Sequence, residues 1–220
     1  RDLKFLEDSW WPDLETLKEN NIPVTRFEQL PGDLVFLNIG CVHWVQARSV
    51  CNNIAWNVGP LTVEQFDAAA ERYEYNKIHK YPSVVPMKLL CWNLAKRLRT
   101  SDLKLHHSIK IALAKCLVQN FRIALRVEEL SGQGIGDDKA IFPMSGINIP
   151  LYCFKCNEEV FNILFIRASP HRNPNTHCFG CAISLDPHLK DFKCLQTHEN
   201  TDLINWFDDF VVDSSQSPRR

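Results

Sequence analysis

Apolar positions change their period twice along the chain and divide it into three regions. Up to about Pro60, short apolar runs alternate with turn residues. A short helix is expected over 13–20, followed by a strand over 24–29 and a turn at Pro31-Gly32. Further strands are expected over 34–37, over 42–45 past Gly40, and over 53–56, all rich in β-branched and aromatic residues. Strands this short and close suggest a β-sandwich or the edge of a barrel. From Pro60 to Leu130 the period becomes helical. Thr62 with Gln65 forms a capping-box pattern, and Phe66, Ala69, Ala70 and Tyr73 mark one helical face. Leu90, Cys91, Leu94 and Leu98 repeat the signal. After an N-cap signal at Ser101-Asp102, the positions Leu105, Ile109, Ala112, Leu113, Cys116, Leu117, Phe121, Ala124 and Leu125 keep a helical period until Ser131-Gly-Gln-Gly134 ends it. This stripe is read as a helix packed on its own domain rather than as a partner seam, because the run is short for a coiled coil. The third region, about 140–211, has strand patterns over 160–166 and 192–196, then a helix capped at Thr201-Asp202 that runs through Trp206 and Phe210.

Composition narrows the class. With 220 residues, 45% hydrophobic and 23% charged, the chain is long enough for one good core and a small satellite. A net charge of −1 gives no global attraction to nucleic acid or to an anionic membrane. The strongest apolar run, Val160 to Ile166, is far short of a membrane span and is interrupted by Asn162. The chain begins at Arg1 and enters directly into patterned sequence, so it is read as a fragment of a longer protein.

The cysteines change the picture of the third region. Cys153-Phe-Lys-Cys156 and Cys178-Phe-Gly-Cys181 form paired CxxC turns separated by 21 residues. Each turn presents two thiolates, and two turns supply the four soft ligands of a closed tetrahedral Zn(II) site. Two disulfides, or four unrelated core thiols, fit that spacing poorly. A four-thiolate shell leaves no open position, so such a metal holds a fold together and performs no chemistry. His177 beside Cys178 is read as a bystander. The other five cysteines are scattered and the total of nine is odd, which fits a reducing compartment. Two weaker signals stay in the background. Gly132-Gln-Gly134-Ile-Gly136 follows a helix rather than a strand and is read as a loop, and Lys96-Arg-Leu-Arg99 as a solvated helix face.

Taken alone, His43 on an apolar strand pattern reads as a core histidine. Its surroundings say more. Leu30-Pro-Gly-Asp-Leu-Val-Phe-Leu-Asn38, Gly40-Cys-Val-His-Trp-Val-Gln-Ala47 and Cys51-Asn-Asn-Ile-Ala-Trp-Asn-Val-Gly-Pro60 together resemble the second half of a JmjC domain. The likeness is to the lysine demethylase 6 family, the histone H3 lysine 27 demethylases. Glu71-Arg-Tyr-Glu74, Ser83-Val-Val-Pro-Met87 and the cysteine array follow in the family's order. The resemblance implies an α+β chain: the C-terminal part of a double-stranded, cupin-like β-helix over 1–60, a helical segment over 61–139, a GATA-like zinc domain over 140–211, and a flexible tail over 212–220. It implies a nuclear protein in which Fe(II), held by two histidines and a carboxylate, works with 2-oxoglutarate and O2 to hydroxylate an N-methyl group, releasing formaldehyde. His43 matches the second histidine of that triad, and Asn53 is placed near the cofactor pocket. The implied partners are the histone H3 tail, gripped in part by the zinc domain, and subunits of chromatin-modifying complexes.

One departure is decisive for the piece in hand. The family's first histidine and carboxylate come from a His-x-Glu or His-x-Asp motif, and none of the eight histidines here is followed two residues later by an acid. The 220 residues alone are therefore expected to be inactive. Two functions remain, the C-terminal portion of an active demethylase or a noncatalytic module that binds chromatin through its zinc domain. A sequence-specific DNA reader would need a basic excess around the cysteines, and residues 150–200 have none.

Overall fold

The computed structural model describes residues 10–98, 101–131, 142–143, 149–167 and 175–215. The chain forms two compact units, Arg1–Val58 and Gly59–Arg220.

In the first unit, helix α1 (Leu14–Glu19) starts as its sequence predicts, with Asp13 accepting from the amides of Glu15 and Thr16. The Pro31-Gly32 turn also forms: the Asp33 amide donates to Leu30 O at 3.0 Å, and Gly32 takes φ +94°, which its missing Cβ permits. The strands expected over 24–29, 34–37, 42–45 and 53–56 do not form a ladder among the described residues. The reason is pairing. A strand exists only when another satisfies its amides and carbonyls and covers its apolar face. Here Phe36, Val45 and Ile54 are 84, 82 and 87% exposed, so the propensity is present and no described residue supplies the partner. Side-chain contacts between distant parts of this unit include an edge-to-face contact of Trp10 with Trp44 at 5.0 Å and an Arg48–Glu28 ion pair.

The second unit follows its helical pattern closely. Helix α2 (Val63–His79) is capped by Thr62, which accepts from the Gln65 amide, and stops where Lys80 turns left-handed. Helix α3 (Met87–Arg97) follows. Helix α4 (Leu103–Ser131) is started by Asp102, whose Oδ1 accepts from the amides of Lys104 and Leu105 at 2.9 and 3.0 Å. Most of the stripe that set their period is buried: Phe66, Tyr73, Cys91, Leu105, Ile109, Leu113 and Cys116 share one core with Trp92, whereas Phe121 is half-buried and Leu125 is exposed, so the far end of the expected stripe turns outward. The glycine-containing loop expected to end α4 lies outside the described residues, as does Arg99.

The region that carries the paired cysteines is built on a four-stranded sheet and a hairpin. Strands β1 (Phe142–Pro143), β4 (Ile163–Arg167), β5 (Asn175–His177) and β6 (Phe192–Gln196) take the order β1-β6-β4-β5, and β2 (Leu151–Tyr152) pairs with β3 (Glu159–Val160). Strand β4 is central, antiparallel to both neighbours, with Phe165 opposite His177 on one side and Cys194 on the other. Its side chains alternate between two interiors, as period two requires. Ile163 and Phe165 pack with Val127 and Leu130 of α4, while Leu164 and Ile166 pack against the cysteines. The run expected to be one strand over 160–166 is broken at Asn162, which turns left-handed at φ +65°. That amide is buried and fully used. Asn162 Nδ2 donates to Asn120 of α4 at 2.7 Å, and its Oδ1 accepts from the His198 amide at 2.7 Å and from Thr197.

Helix α5 (Phe179–Leu185) follows the second CxxC, and helix α6 (Asn200–Ser215) closes the unit. Helix α6 begins before the expected cap, because Glu199 O already accepts from the Leu203 amide, so Thr201 and Asp202 occupy its first turn. It also extends through residues 212–215, expected as a flexible tail, since the apolar pair Val211-Val212 prolongs its pattern. Leu203 and Phe210 of α6 enter the core of α2, α3 and α4.

Candidate functional site

Two tight turns bring the four predicted cysteines together. In the first, the Cys153 amide donates to Glu158 O at 2.8 Å and the Asn157 amide returns to Cys153 O at 2.9 Å, with Asn157 left-handed at φ +60°. This closed loop aims Cys153 and Cys156 the same way. In the second, Cys178 is the N-cap of α5, its sulfur accepting from the Cys181 amide at 3.5 Å. The Phe154 amide donates to Thr176 O at 2.9 Å and ties the two turns.

All four sulfurs lie within 4.8 Å of one another, and Cys156 and Cys178 are 3.7 Å apart. A zinc–thiolate tetrahedron with bonds of about 2.3 Å has sulfur–sulfur edges of about 3.8 Å, so the set fits that ion with shifts of up to about 1 Å. The protons tell the same story. The Cys153 sulfur receives the Cys178 thiol hydrogen bond and is held well below the usual thiol range; that shared proton, with burial, pushes Cys178 up, and burial leads the rise of Cys181. Four crowded sulfurs cannot all ionise without a cation among them. His177 stays outside the cluster, buried edge-on against Phe192 at 5.5 Å and Phe154 at 6.3 Å.

The turn also does something its sequence pattern did not announce. Glu159, two per cent exposed, sends its carboxylate to the start of α3, with Oε2 accepting from the Lys88 amide and Oε1 from the Leu89 amide, each at 2.8 Å. Pro86, at the N-cap, offers no side-chain acceptor, so Glu159 caps the helix from a distant segment. Burial pushes the Glu159 carboxyl up, opposed by those two amides. Glu158 takes both Lys77 and Lys88 at 3.3 and 3.2 Å, Asn157 Nδ2 reaches Lys80 O at 3.5 Å, and Tyr152 OH donates to Ser83 O at 3.2 Å. The metal-type turn is thus clasped to residues 77–89. A cleft of about 350 Å³ beside it is lined by Lys77, Lys88, Glu158 and Glu159, charges already engaged with one another or with α3.

In the first unit His43 is exposed, contrary to the core-histidine reading of the isolated pattern. Its Nδ1 lies 3.0 Å from Cys41 O. A carbonyl only accepts, so in the neutral ring this contact places the proton on Nδ1 and leaves Nε2 as the nitrogen open to a metal. Asn53 is exposed as well. Among the described residues the cysteines form the metal-type cluster, and His43 and Asn53 belong to none. With His43 the one histidine of residues 1–58 and no His-x-Glu or His-x-Asp anywhere in the 220 residues, these residues do not complete an iron triad.

Comparison with known proteins matches the chain in three consecutive stretches. Residues 1–58 match the family model described as "JmjC domain, hydroxylase", residues 65–120 "Lysine-specific demethylase 6/UTY, C-terminal helical domain", and residues 148–200 "KDM6, GATA-like". The chain is 40% identical to Lysine-specific demethylase 6B of Homo sapiens over 222 residues, covering 98% of this chain and 13% of that protein. It is 31% identical to Lysine-specific demethylase jmjd-3.1 of Caenorhabditis elegans over 218 residues, covering 94% of this chain and 20% of that protein. The chain therefore spans a fifth or less of the length of these two relatives.

Proposed function

We propose, from the premise that the chain belongs to the lysine demethylase 6 family, that it forms the C-terminal portion of an Fe(II)- and 2-oxoglutarate-dependent histone H3 lysine 27 demethylase. The carrying observation is the order of its parts: JmjC sequence with His43, the helical domain, and the GATA-like region with its cysteine cluster, matched over 98% of the chain. The domains run over 1–60, 61–139 and 140–211. His43 would supply one ligand to the iron, and Asn53 would orient 2-oxoglutarate or water by its amide. Cys153, Cys156, Cys178 and Cys181 hold one structural zinc, whose rigid knuckle grips the histone tail outside the catalytic pocket. The protein works in the nucleus, within chromatin-modifying complexes.

The residues in hand supply one iron ligand, so the 220-residue chain alone is inactive toward a methylated histone H3 peptide. Metal analysis of it returns about one zinc and no stoichiometric iron, as a closed four-thiolate site beside a lone histidine requires. In the full-length protein, His43→Ala abolishes formaldehyde release from the lysine 27-trimethylated peptide and leaves zinc content unchanged. Full activity in that variant would sink the assignment, and stoichiometric iron in the short chain would overturn its inactivity. The single histidine supports a second reading of the piece itself as a noncatalytic histone-tail module, which predicts that the short chain still binds the unmodified H3 tail.

A further inference from the structure

The inward side of α4 is accounted for by α2, α3, α6 and β4, against which Leu105, Ile109, Leu113, Cys116 and Val127 are buried. Its outward side is not. Ile111, Val118 and Leu125 recur every seven residues and are 43, 49 and 58% exposed, with Ala114 and Phe121 half-buried between them. The spacing 111, 114, 118, 121, 125 alternates by three and four, the seam that a helix presents to a second helix. No described residue covers it.

The charge along this helix is lopsided. From Leu103 to Val127 it carries Lys104, Lys110, Lys115, Arg122 and Arg126 and not one Asp or Glu, in a chain whose net charge is −1. Lys110 lies on one flank of the seam, Lys115 and Arg122 on the other, and among the described residues Arg126 is the one of these exposed or half-exposed cations tied to an acid, Glu129 at 2.8 Å. A second copy would set cations against cations. A nucleic acid would engage the cations and leave the apolar seam wet, since its backbone offers charge and no apolar ridge. An amphipathic helix edged with carboxylates matches both features at once.

We propose that the outer face of α4 is a docking site for an acidic amphipathic helix of a separate partner protein, seated along Ile111, Val118 and Leu125 and held in register by Lys110, Lys115 and Arg122.

The test is fluorescence anisotropy with a labelled synthetic peptide of about three heptads, carrying Leu and Ile on its seam and Glu on both flanks. The probe is titrated with the 220-residue chain and with the full-length protein. Saturable binding by both is expected. The double change Lys115→Glu with Arg122→Glu should weaken it roughly tenfold or more and restore binding to a matched peptide with Lys flanks. Val118→Glu with Leu125→Glu should do the same to the original probe, and raised salt should weaken it through screening. If the seam variant misfolds by circular dichroism, the surface charge pair decides alone. Equal binding of Glu- and Lys-flanked probes, displacement of the Glu-flanked probe by duplex DNA, or dimerisation lost in the seam variant each overturns the proposal. So does binding by the short chain but not by the full-length protein, which would mean that the parent's own sequence covers the face.

Discussion

At the scale of single residues, Glu159 has the largest leverage relative to its size. Its carboxylate satisfies two first-turn amides of α3 that have no other cap, and it does so from a buried position, where an orphaned donor is costly. Glu159→Ala should lower the unfolding free energy of the second unit by about 1–3 kcal/mol in urea melts. Glu158→Gln, which loosens two lysine contacts, should cost less, about 1 kcal/mol or under. A reversed order would place the clasp in Glu158. His198 sets a pH dependence. Burial first, and then nearby Lys96, lower its pKa, while Asp202 works the other way. A histidine whose folded pKa is depressed is protonated more readily when unfolded, so stability is unaffected above the unfolded value of about 6.5 and is lost progressively as pH falls from there through the lower folded value. The melting temperature of the wild-type chain should drop across that window by more than that of His198→Gln. Parallel curves would assign the drop to other groups.

At the scale of elements, the cysteine turn and α3 form a coupled pair, since residues 152–159 send their side chains to residues 77–89. Metal binding in such a turn is folding energy. Removing zinc by chelation, or by Cys153→Ser, should therefore speed amide hydrogen exchange in β2 and β3 and also at Lys88 and Leu89, far away in sequence. Exchange confined to 149–181 would break the proposed link. Helix α4 contributes the other interior. Ile109 and Leu113 are fully buried, and Leu113→Ala should cost about 2–5 kcal/mol by opening a cavity between α2, α3 and α6. That period was readable in advance because an amphipathic helix needs only its own spacing. The capping of α3 was not, since nothing in a Glu-Glu pair following a CxxC names the helix it will cap.

At the scale of the whole molecule, the two units differ in kind. The second has three joined interiors, one of them lined by thiols. The first leaves Phe36, Val45, Ile54, Trp56 and Val58 largely in solvent. Unpaired backbone beside exposed apolar side chains favours self-association. The short chain should accordingly bind a hydrophobic dye and form concentration-dependent aggregates by light scattering. Phe36→Ser with Ile54→Thr should suppress both without lowering the melting transition of residues 59–215. Unchanged scattering would trace the association to another surface.

Local chemistry alone determined several features of this protein: the caps at Asp13, Thr62 and Asp102, the buried stripes of α2 to α4, the Pro31-Gly32 turn, and the convergence of four cysteines. Each depends on interactions within a few residues, or on ligands that can satisfy one ion. The family resemblance carried by the run through His43 was equally legible. Tertiary structure decided the rest. It left the apolar runs around His43 without ladders, broke one expected strand at Asn162 to serve a buried amide network, carried α6 into the helical core, and turned Glu159 into the cap of α3. The physical reason is common to all four. A strand, a buried amide and a remote cap are completed by a partner far away in the chain, and no local pattern of apolar and polar residues states which partner that will be.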